Sequence, residues 1–202
     1  MIDNSDARTL AAYDADAASF AEDWESQPKP TDLHDAVWRF FAPGPTADIG
    51  CGSGRDTAWL VQNGFAATGF DGSTGLLQEA SRRHPGIRFV QAMLPELAGL
   101  ADASFANILC ETVIMHLPPH AITPAVTRMV DLLMPNGSLY LTWRVTAGQD
   151  RRDDNARLYT AFDPDRVLQA LTGTTLLLNE QTDSASSGKV IRRIVARKKF
   201  AA

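Results

Sequence analysis

The chain has 202 residues, about the length of one α/β domain, and 45% of them are apolar, enough to bury a core. Its 24 acidic and 19 basic residues leave a net charge of −5, which argues against a general nucleic-acid binder, since those carry a basic surplus. No apolar run approaches the roughly 18 residues of a membrane span, and two cysteines, Cys51 and Cys110, build neither a disulfide framework nor a zinc spacing.

Met1 to Asp6 are acidic and polar, unlike a secretory leader. With unpaired cysteines, this sets the expectation of a cytoplasmic protein with no membrane partner. Leu10, Tyr13, Ala17, Phe20 and Trp24 recur at spacings of three and four, which predicts one amphipathic helix, ended by Gln27-Pro28-Lys29-Pro30. Leu33, Val37, Phe40 and Phe41 share a face of a second helix, ended by Ala42-Pro43-Gly44-Pro45. These helices form an N-terminal cap over 1–45, ahead of a core over 46–202. No repeat or change of composition divides the chain, so one domain is expected.

From Thr46 the pattern becomes strand–helix alternation. Strands are predicted at 46–49, 66–70, 87–91, 105–110, 138–143, 175–179 and 190–196, with helices at about 55–63, 73–83, 122–133 and 164–171. The strand at 105–110 is almost continuously apolar, as when both faces of a sheet are covered. Pro135-Asn136-Gly137 reads as a turn and 148–155 as a mobile polar stretch. Asp183 to Gly188 reads as a hairpin loop, so one of the last two strands runs antiparallel to its partner. The rest follows the βαβ rule and gives a mostly parallel sheet.

Asp48-Ile49-Gly50-Cys51-Gly52-Ser53-Gly54 lies directly after the first strand and before the first core helix. Glycines allow the tight turn and let a ligand approach the backbone, and the helix beyond offers free N–H groups to an anion. Asp71 closes the second strand at about the distance where a carboxylate accepts both hydroxyls of a ribose. Two readings compete. A dinucleotide fingerprint needs glycine where this chain has Arg55, because the third glycine lets the helix pack closely. A nucleoside carrying an amino acid has no pyrophosphate and no such need.

The loop resembles motif I of the class I S-adenosylmethionine-dependent methyltransferases. Gly69-Phe70-Asp71-Gly72-Ser73 resembles their motif II, Asn107 to Leu117 their motif IV, and Leu132 to Leu139 their turn before strand five. The likeness covers about 46–144, and the layout is similar to small-molecule and tellurite-resistance-type members. It implies a Rossmann-like three-layer α/β sandwich with a seven-stranded sheet ordered 3-2-1-4-5-7-6, the last strand antiparallel, under the N-terminal helical cover. It also implies S-adenosyl-L-methionine as cofactor, with S-adenosylhomocysteine as product. The cofactor would be held by Asp48, Gly50, Cys51, Gly52, Gly54, Arg55, Asp71, Gly72, Ser73, Ala92, Met93, Leu94, Glu111 and Thr112. Met93 stands where many members carry the acid that meets the adenine amino group, so adenine is left to backbone donors and apolar contact.

The methyl acceptor is expected to be a small molecule, with no nucleic acid and no resident metal, and the chain is expected to act as a monomer or homodimer. His116, just past strand four, is the candidate general base, or else a histidine that orders its loop. Arg144, Arg157 and Tyr159 are candidates to bind the acceptor, the guanidiniums suiting an oxyanion. Their alternative is surface pairing with Asp150, Asp153 or Asp154. Tyr13, Phe20 and Trp24 either form a lid, Tyr13 touching the cofactor, or pack a helix face on the core. The rival functions are a cofactor-binding protein without transfer activity and a nicotinamide-dependent oxidoreductase.

Overall fold

The computed structural model describes residues 5–200; residues 1–4 and 201–202, the outer ends of the expected cap and core, lie outside the described residues. Three helices come first: α1 (Ala7–Ala15), α2 (Ala17–Ser26) and α3 (Thr31–Phe40). The alternating part follows as β1 (Pro45–Ile49), α4 (Arg55–Gln62), β2 (Ala66–Asp71), α5 (Thr74–Arg83), β3 (Phe89–Gln91), β4 (Phe105–Cys110), α6 (Pro119–Leu132) and β5 (Leu133–Arg144). After it come β6 (Arg151–Arg152), β7 (Leu158–Tyr159), α7 (Asp165–Ala170), β8 (Thr174–Asp183) and β9 (Val190–Lys198).

The main sheet runs β3-β2-β1-β4-β5-β9-β8. β1, β2, β3, β4 and β5 pair in parallel, while β9 is antiparallel to both β5 and β8. With β6 and β7 set aside as a separate pair, this is the expected order 3-2-1-4-5-7-6. Successive side chains of a strand take opposite faces. Ile108, Cys110, Leu139, Leu141, Trp143, Ile194 and Ala196 accordingly face one core with α6 and α7. Leu109, Tyr140 and Val195 face the other, with Leu33 and Val37 of α3 and Leu60 of α4. Both faces are therefore covered, which explains the unbroken apolar run of β4. A third cluster of Ala17, Phe20 and Leu76 joins α2 to α5.

Three local expectations change. The single helix predicted over Leu10–Trp24 is two helices, broken at Asp16 (φ −138°, ψ 39°). The carboxylate of Asp14 accepts from the Ser73 hydroxyl at 2.6 Å and the Gly75 N–H at 2.9 Å, so the chain bends where it is tied to the start of α5. Pro135-Asn136-Gly137 is not a separate turn but the irregular start of β5: Asn136 has φ +66°, and the register with β4 shifts between Phe105 and Asn107. The polar stretch at 148–155 contains β6, which pairs with β7.

The basic residues of β9 are engaged in the fold. Arg193 is buried against Asp32 and Glu180, and its neighbour Arg192 donates to Asn179 on the other face. The Lys198 ammonium donates to the carbonyls of Val130, Asp131 and Leu133 at the end of α6, where a helix's orphan acceptors collect. Among the described residues, no helix is long and apolar enough to cross a membrane.

Candidate active site at the carboxyl edge of the sheet

The glycine loop is a tight reversal from β1 into α4. The N–H groups of Gly50 and Cys51 both donate to the Phe70 carbonyl, at 2.7 and 3.0 Å, which ties the loop to the end of β2. Gly50 has φ +73°, and a Cβ there would lie 2.3 Å from Cγ2 of Val113. Gly52 has φ +52°, and its Cβ would lie 2.7 Å from the Trp24 ring. Both therefore require glycine, for conformation and for space.

Asp71 ends β2. One carboxylate oxygen accepts from the Gly52 N–H and the other from the Ser73 N–H, each at 2.9 Å. Burial pushes its pKa up, and those N–H donors oppose the shift. Asp48 lies beneath the loop, 2% exposed, and accepts from the Thr57 hydroxyl at 2.6 Å. Burial raises its pKa to about 8. Glu111 follows β4 and accepts from the Thr142 hydroxyl at 2.6 Å, while the Thr142 oxygen accepts from the Thr112 N–H at 2.9 Å. Burial raises Glu111 to about 7.

These groups border one cleft of about 1350 Å³, counting the solvent in its mouth. Of the residues expected to hold a cofactor, Tyr13, Gly50, Cys51, Gly52, Arg55, Asp71, Gly72, Ala92, Met93, Leu94, Glu111 and Thr112 line it. Asp48, Gly54 and Ser73 do not. Asp48 anchors α4 through Thr57, Gly54 is the left-handed cap of α4, and the Ser73 hydroxyl caps α5 by accepting from the Leu76 N–H. All four residues expected at the acceptor end, His116, Arg144, Arg157 and Tyr159, line the same cleft.

The two guanidiniums differ. Arg157 pairs with Asp153 at 2.6 Å, the surface pairing held open as its alternative. Its head also lies 4.7 Å from the Phe20 ring centroid and 5.4 Å from that of Tyr13. Arg144 has no such acid partner, and its Nε is buried without a hydrogen bond. His116 has both ring nitrogens engaged: Nδ1 lies 2.6 Å from the Leu158 carbonyl and Nε2 lies 3.0 Å from the Tyr13 hydroxyl. Burial holds its pKa down at about 4.

The first two helices close over this cleft. Trp24 covers Gly52, and its carbonyl accepts from Arg55 at 3.0 Å. Asp6 pairs with Arg152 at 2.6 Å, and the Thr9 oxygen accepts from the Leu158 N–H at 2.8 Å. Trp24 and Tyr13 line the space, whereas Phe20 packs behind them on Leu76. The composition reading missed Gln27 and the serines Ser184, Ser186 and Ser187, which also line the cleft. The serines had a findable signal. A hairpin strand antiparallel to β5 starts where β5 ends, so the β8–β9 loop must lie at the carboxyl edge, where ligands bind in such sheets. Among the described residues no cluster of His, Cys, Asp or Glu could hold a metal ion.

Residues 47–137 match the family model described as a methyltransferase domain. That segment is similar to methyltransferase domains, and it contains the glycine loop, Asp71 and Glu111. Trans-aconitate 2-methyltransferase of Methylobacterium nodulans is 35% identical over 130 residues, which are 62% of this chain and 48% of that protein. The enzyme of the same name from Deinococcus radiodurans is 34% identical over 62% of this chain and 46% of its own length. The chain thus spans about half the length of these curated relatives. In fold, the domain is similar to the 1,6-didemethyltoxoflavin-N1-methyltransferase of Burkholderia thailandensis, solved with 1,6-didemethyltoxoflavin and S-adenosylhomocysteine (TM-score 0.68, 23% identity, 94% of this chain and 88% of that one).

Proposed function

We propose that this chain catalyses methyl transfer from S-adenosylmethionine to a small-molecule acceptor, working in the cytoplasm as one unit with its N-terminal helices as a cap. The observation that carries the reading is the continuity of one cleft from the glycine loop and Asp71 to Arg144 and Arg157. A site for cofactor and a site for acceptor share a single enclosed space, as a group transfer requires.

The residues fit the cofactor. Each Asp71 oxygen accepts one backbone N–H and keeps a second lone-pair site, so the carboxylate is held in place with capacity left for ribose hydroxyls. Gly50 and Gly52 keep the loop free of side chains that would fill the cradle. Glu111 places a carboxyl, and Tyr13 and Trp24 place aromatic faces, where a cationic ligand gains from them. Ala92, Met93 and Leu94 give an apolar wall, and Met93 is 42% exposed into it. When bound, the cofactor supplies a methyl group already activated on a sulfonium. The protein's part is then alignment and the exclusion of water.

Arg55 counts against a nicotinamide dinucleotide. It fills the place of a third glycine and is locked between Asp56, at 2.9 Å, and the Trp24 carbonyl. Trans-aconitate, the compound in the relatives' name, supports a small polar acceptor here. Monomer and homodimer both fit this reading.

Thermal unfolding with S-adenosylmethionine, S-adenosylhomocysteine and the nicotinamide dinucleotides tests the cofactor. The first two should raise the midpoint in a concentration-dependent way and the dinucleotides should not. Stabilisation by the dinucleotides alone rejects the proposal. A screen for homocysteine release across acceptor classes then separates an enzyme from a protein that only binds.

A further inference from the structure

Arg144, at the end of β5, is the uncommitted cation of the cleft. Its side chain makes no hydrogen bond or ion pair among the described residues, and its Nε is buried without a partner. Its guanidinium lies beside the Tyr159 ring, 6.0 Å from guanidinium carbon to centroid. Buried guanidinium N–H groups left without an acceptor are unfavourable, and the planar fork matches a carboxylate in two parallel hydrogen bonds.

The same end of the cleft offers no free base. The Leu158 carbonyl can only accept, so His116 carries its proton on Nδ1 and is the neutral tautomer. Its Nε2 lone pair is then taken by the Tyr13 hydroxyl, which donates its only proton there while its oxygen accepts from Arg157 at 3.4 Å. Burial supports this arrangement, holding His116 down at about 4 and Tyr13 up at about 12. The carboxyls elsewhere along the cleft are engaged as well: Asp6 pairs with Arg152, Asp56 with Arg55, Asp71 accepts two backbone N–H groups, and Glu111 gives one oxygen to the Thr142 hydroxyl. An alcohol or protonated amine must lose a proton as the methyl arrives, and it needs a base to take it. A carboxylate has no proton to lose.

We infer that Arg144 anchors the acceptor, and that the acceptor is a small carboxylic acid methylated on an already ionised oxygen. The inference rests on the methyltransferase reading above. In the step, a carboxylate oxygen lone pair forms the O–CH3 bond while the S–CH3 bond breaks and leaves its electron pair on sulfur. The oxygen's negative charge and the sulfur's positive charge both disappear, the products are a methyl ester and a thioether, and no proton is released. Tyr13 and His116 are positioning residues: their hydrogen bond pins α1 to the segment after β4 and closes the cleft.

The test uses the full chain with S-adenosylmethionine and a panel of short mono-, di- and tricarboxylic acids, the matching amides and alcohols, and small amines. Thioether formation and proton release, read with a pH indicator, are followed together. The expected result is turnover of an acid with no proton released. Arg144→Gln should then raise KM for that acid about tenfold or more and weaken its calorimetric binding to the S-adenosylhomocysteine complex, with cofactor affinity unchanged. His116→Gln and Tyr13→Phe should move KM and leave kcat within about threefold, where loss of a general base costs about a hundredfold or more. One proton per methyl transferred, turnover of amines or alcohols only, a hundredfold fall in kcat for His116→Gln or Glu111→Gln, or an unchanged KM in Arg144→Gln each overturns the inference. Cofactor binding with no acid turned over also overturns it, while a chain that does not bind the cofactor fails the underlying reading instead.

Discussion

At the glycine-loop end of the cleft, three buried carboxyls are held by the protein itself: Asp71 by two backbone N–H groups, Asp48 by Thr57 and Glu111 by Thr142. At the other end, two guanidiniums face the same space, and only Arg157 has an acid beside it. The first end has its geometry set before any ligand arrives, because backbone donors and short hydroxyl side chains have little freedom to lose. The second keeps one charge unanswered. On the proposed function, preorganisation belongs to the cofactor end and selectivity to the acceptor end, and mutations at the two ends should fail in different ways.

The largest effect is expected at the loop. Gly50→Ala adds a Cβ at a left-handed position and 2.3 Å from Val113. It should destabilise the protein by about 3 kcal/mol or more in urea unfolding and abolish cofactor binding. A stable variant that still binds would show that the loop is not the rigid end of the comparison. Next, Asp71→Ala should lower cofactor affinity by about a hundredfold in calorimetry, since it strands two N–H donors and removes the acceptor for the ribose. Its KM for the acceptor, measured at saturating cofactor, should change little. Arg144→Gln should do the reverse, and a variant pair that fails in the same parameter would dissolve the distinction.

A smaller effect separates the buried acids from the buried histidine by pH. Asp48 and Glu111 are raised in the fold, to about 8 and about 7, so the stability tied to them is present at low pH and is lost as pH rises through those values. His116 is lowered from 6.5 to about 4, so its contribution is lost as pH falls through that range. The two trends oppose one another below 6.5, and above it the acids act alone. The urea midpoint should therefore fall from pH 6.5 to 8, and Asp48→Asn, which keeps an oxygen for the Thr57 hydroxyl, should flatten that fall. An unchanged slope would mean that Asp48 is not the group responsible. The smallest effect belongs to the cap. Asp6→Asn removes the ion pair to Arg152 but keeps a side-chain oxygen for the Thr9 N–H, so the loss should stay below about 1 kcal/mol. Asp6 is held near a pKa of about 2 by Arg152, so acid should weaken this tie only at very low pH.

Much of the frame was legible because it depends on near neighbours in the chain. Alternation of strand and helix, the glycine spacing and the position of Asp71 all lie within about 25 residues of one another, and local propensity and βαβ handedness do the rest. The break at Asp16 was not legible, because the apolar spacing runs straight through it. The bend comes from Asp14 reaching Ser73 and Gly75, some sixty residues away. Nor could spacing show that Asp48, Gly54 and Ser73 turn away from the cleft while their neighbours face it, since that depends on which side of the loop each helix packs.

The sheet order came with the family resemblance, whereas the amino-acid sequence by itself determined the strand–helix alternation and the glycine-loop end of the cleft. Those features follow from short-range periodicity and from residue types with few alternative uses. Tertiary structure alone decided which arginine is left unpaired, that both nitrogens of His116 are taken, and that Ser184, Ser186 and Ser187 reach the cleft. Each of these depends on contacts between segments far apart in the chain: Tyr13 with His116, Leu158 with His116, and the β8–β9 loop with the end of β5. A sequence lists the donors and acceptors a protein has, but their pairing is settled only when the chain has folded and the buried ones must find partners.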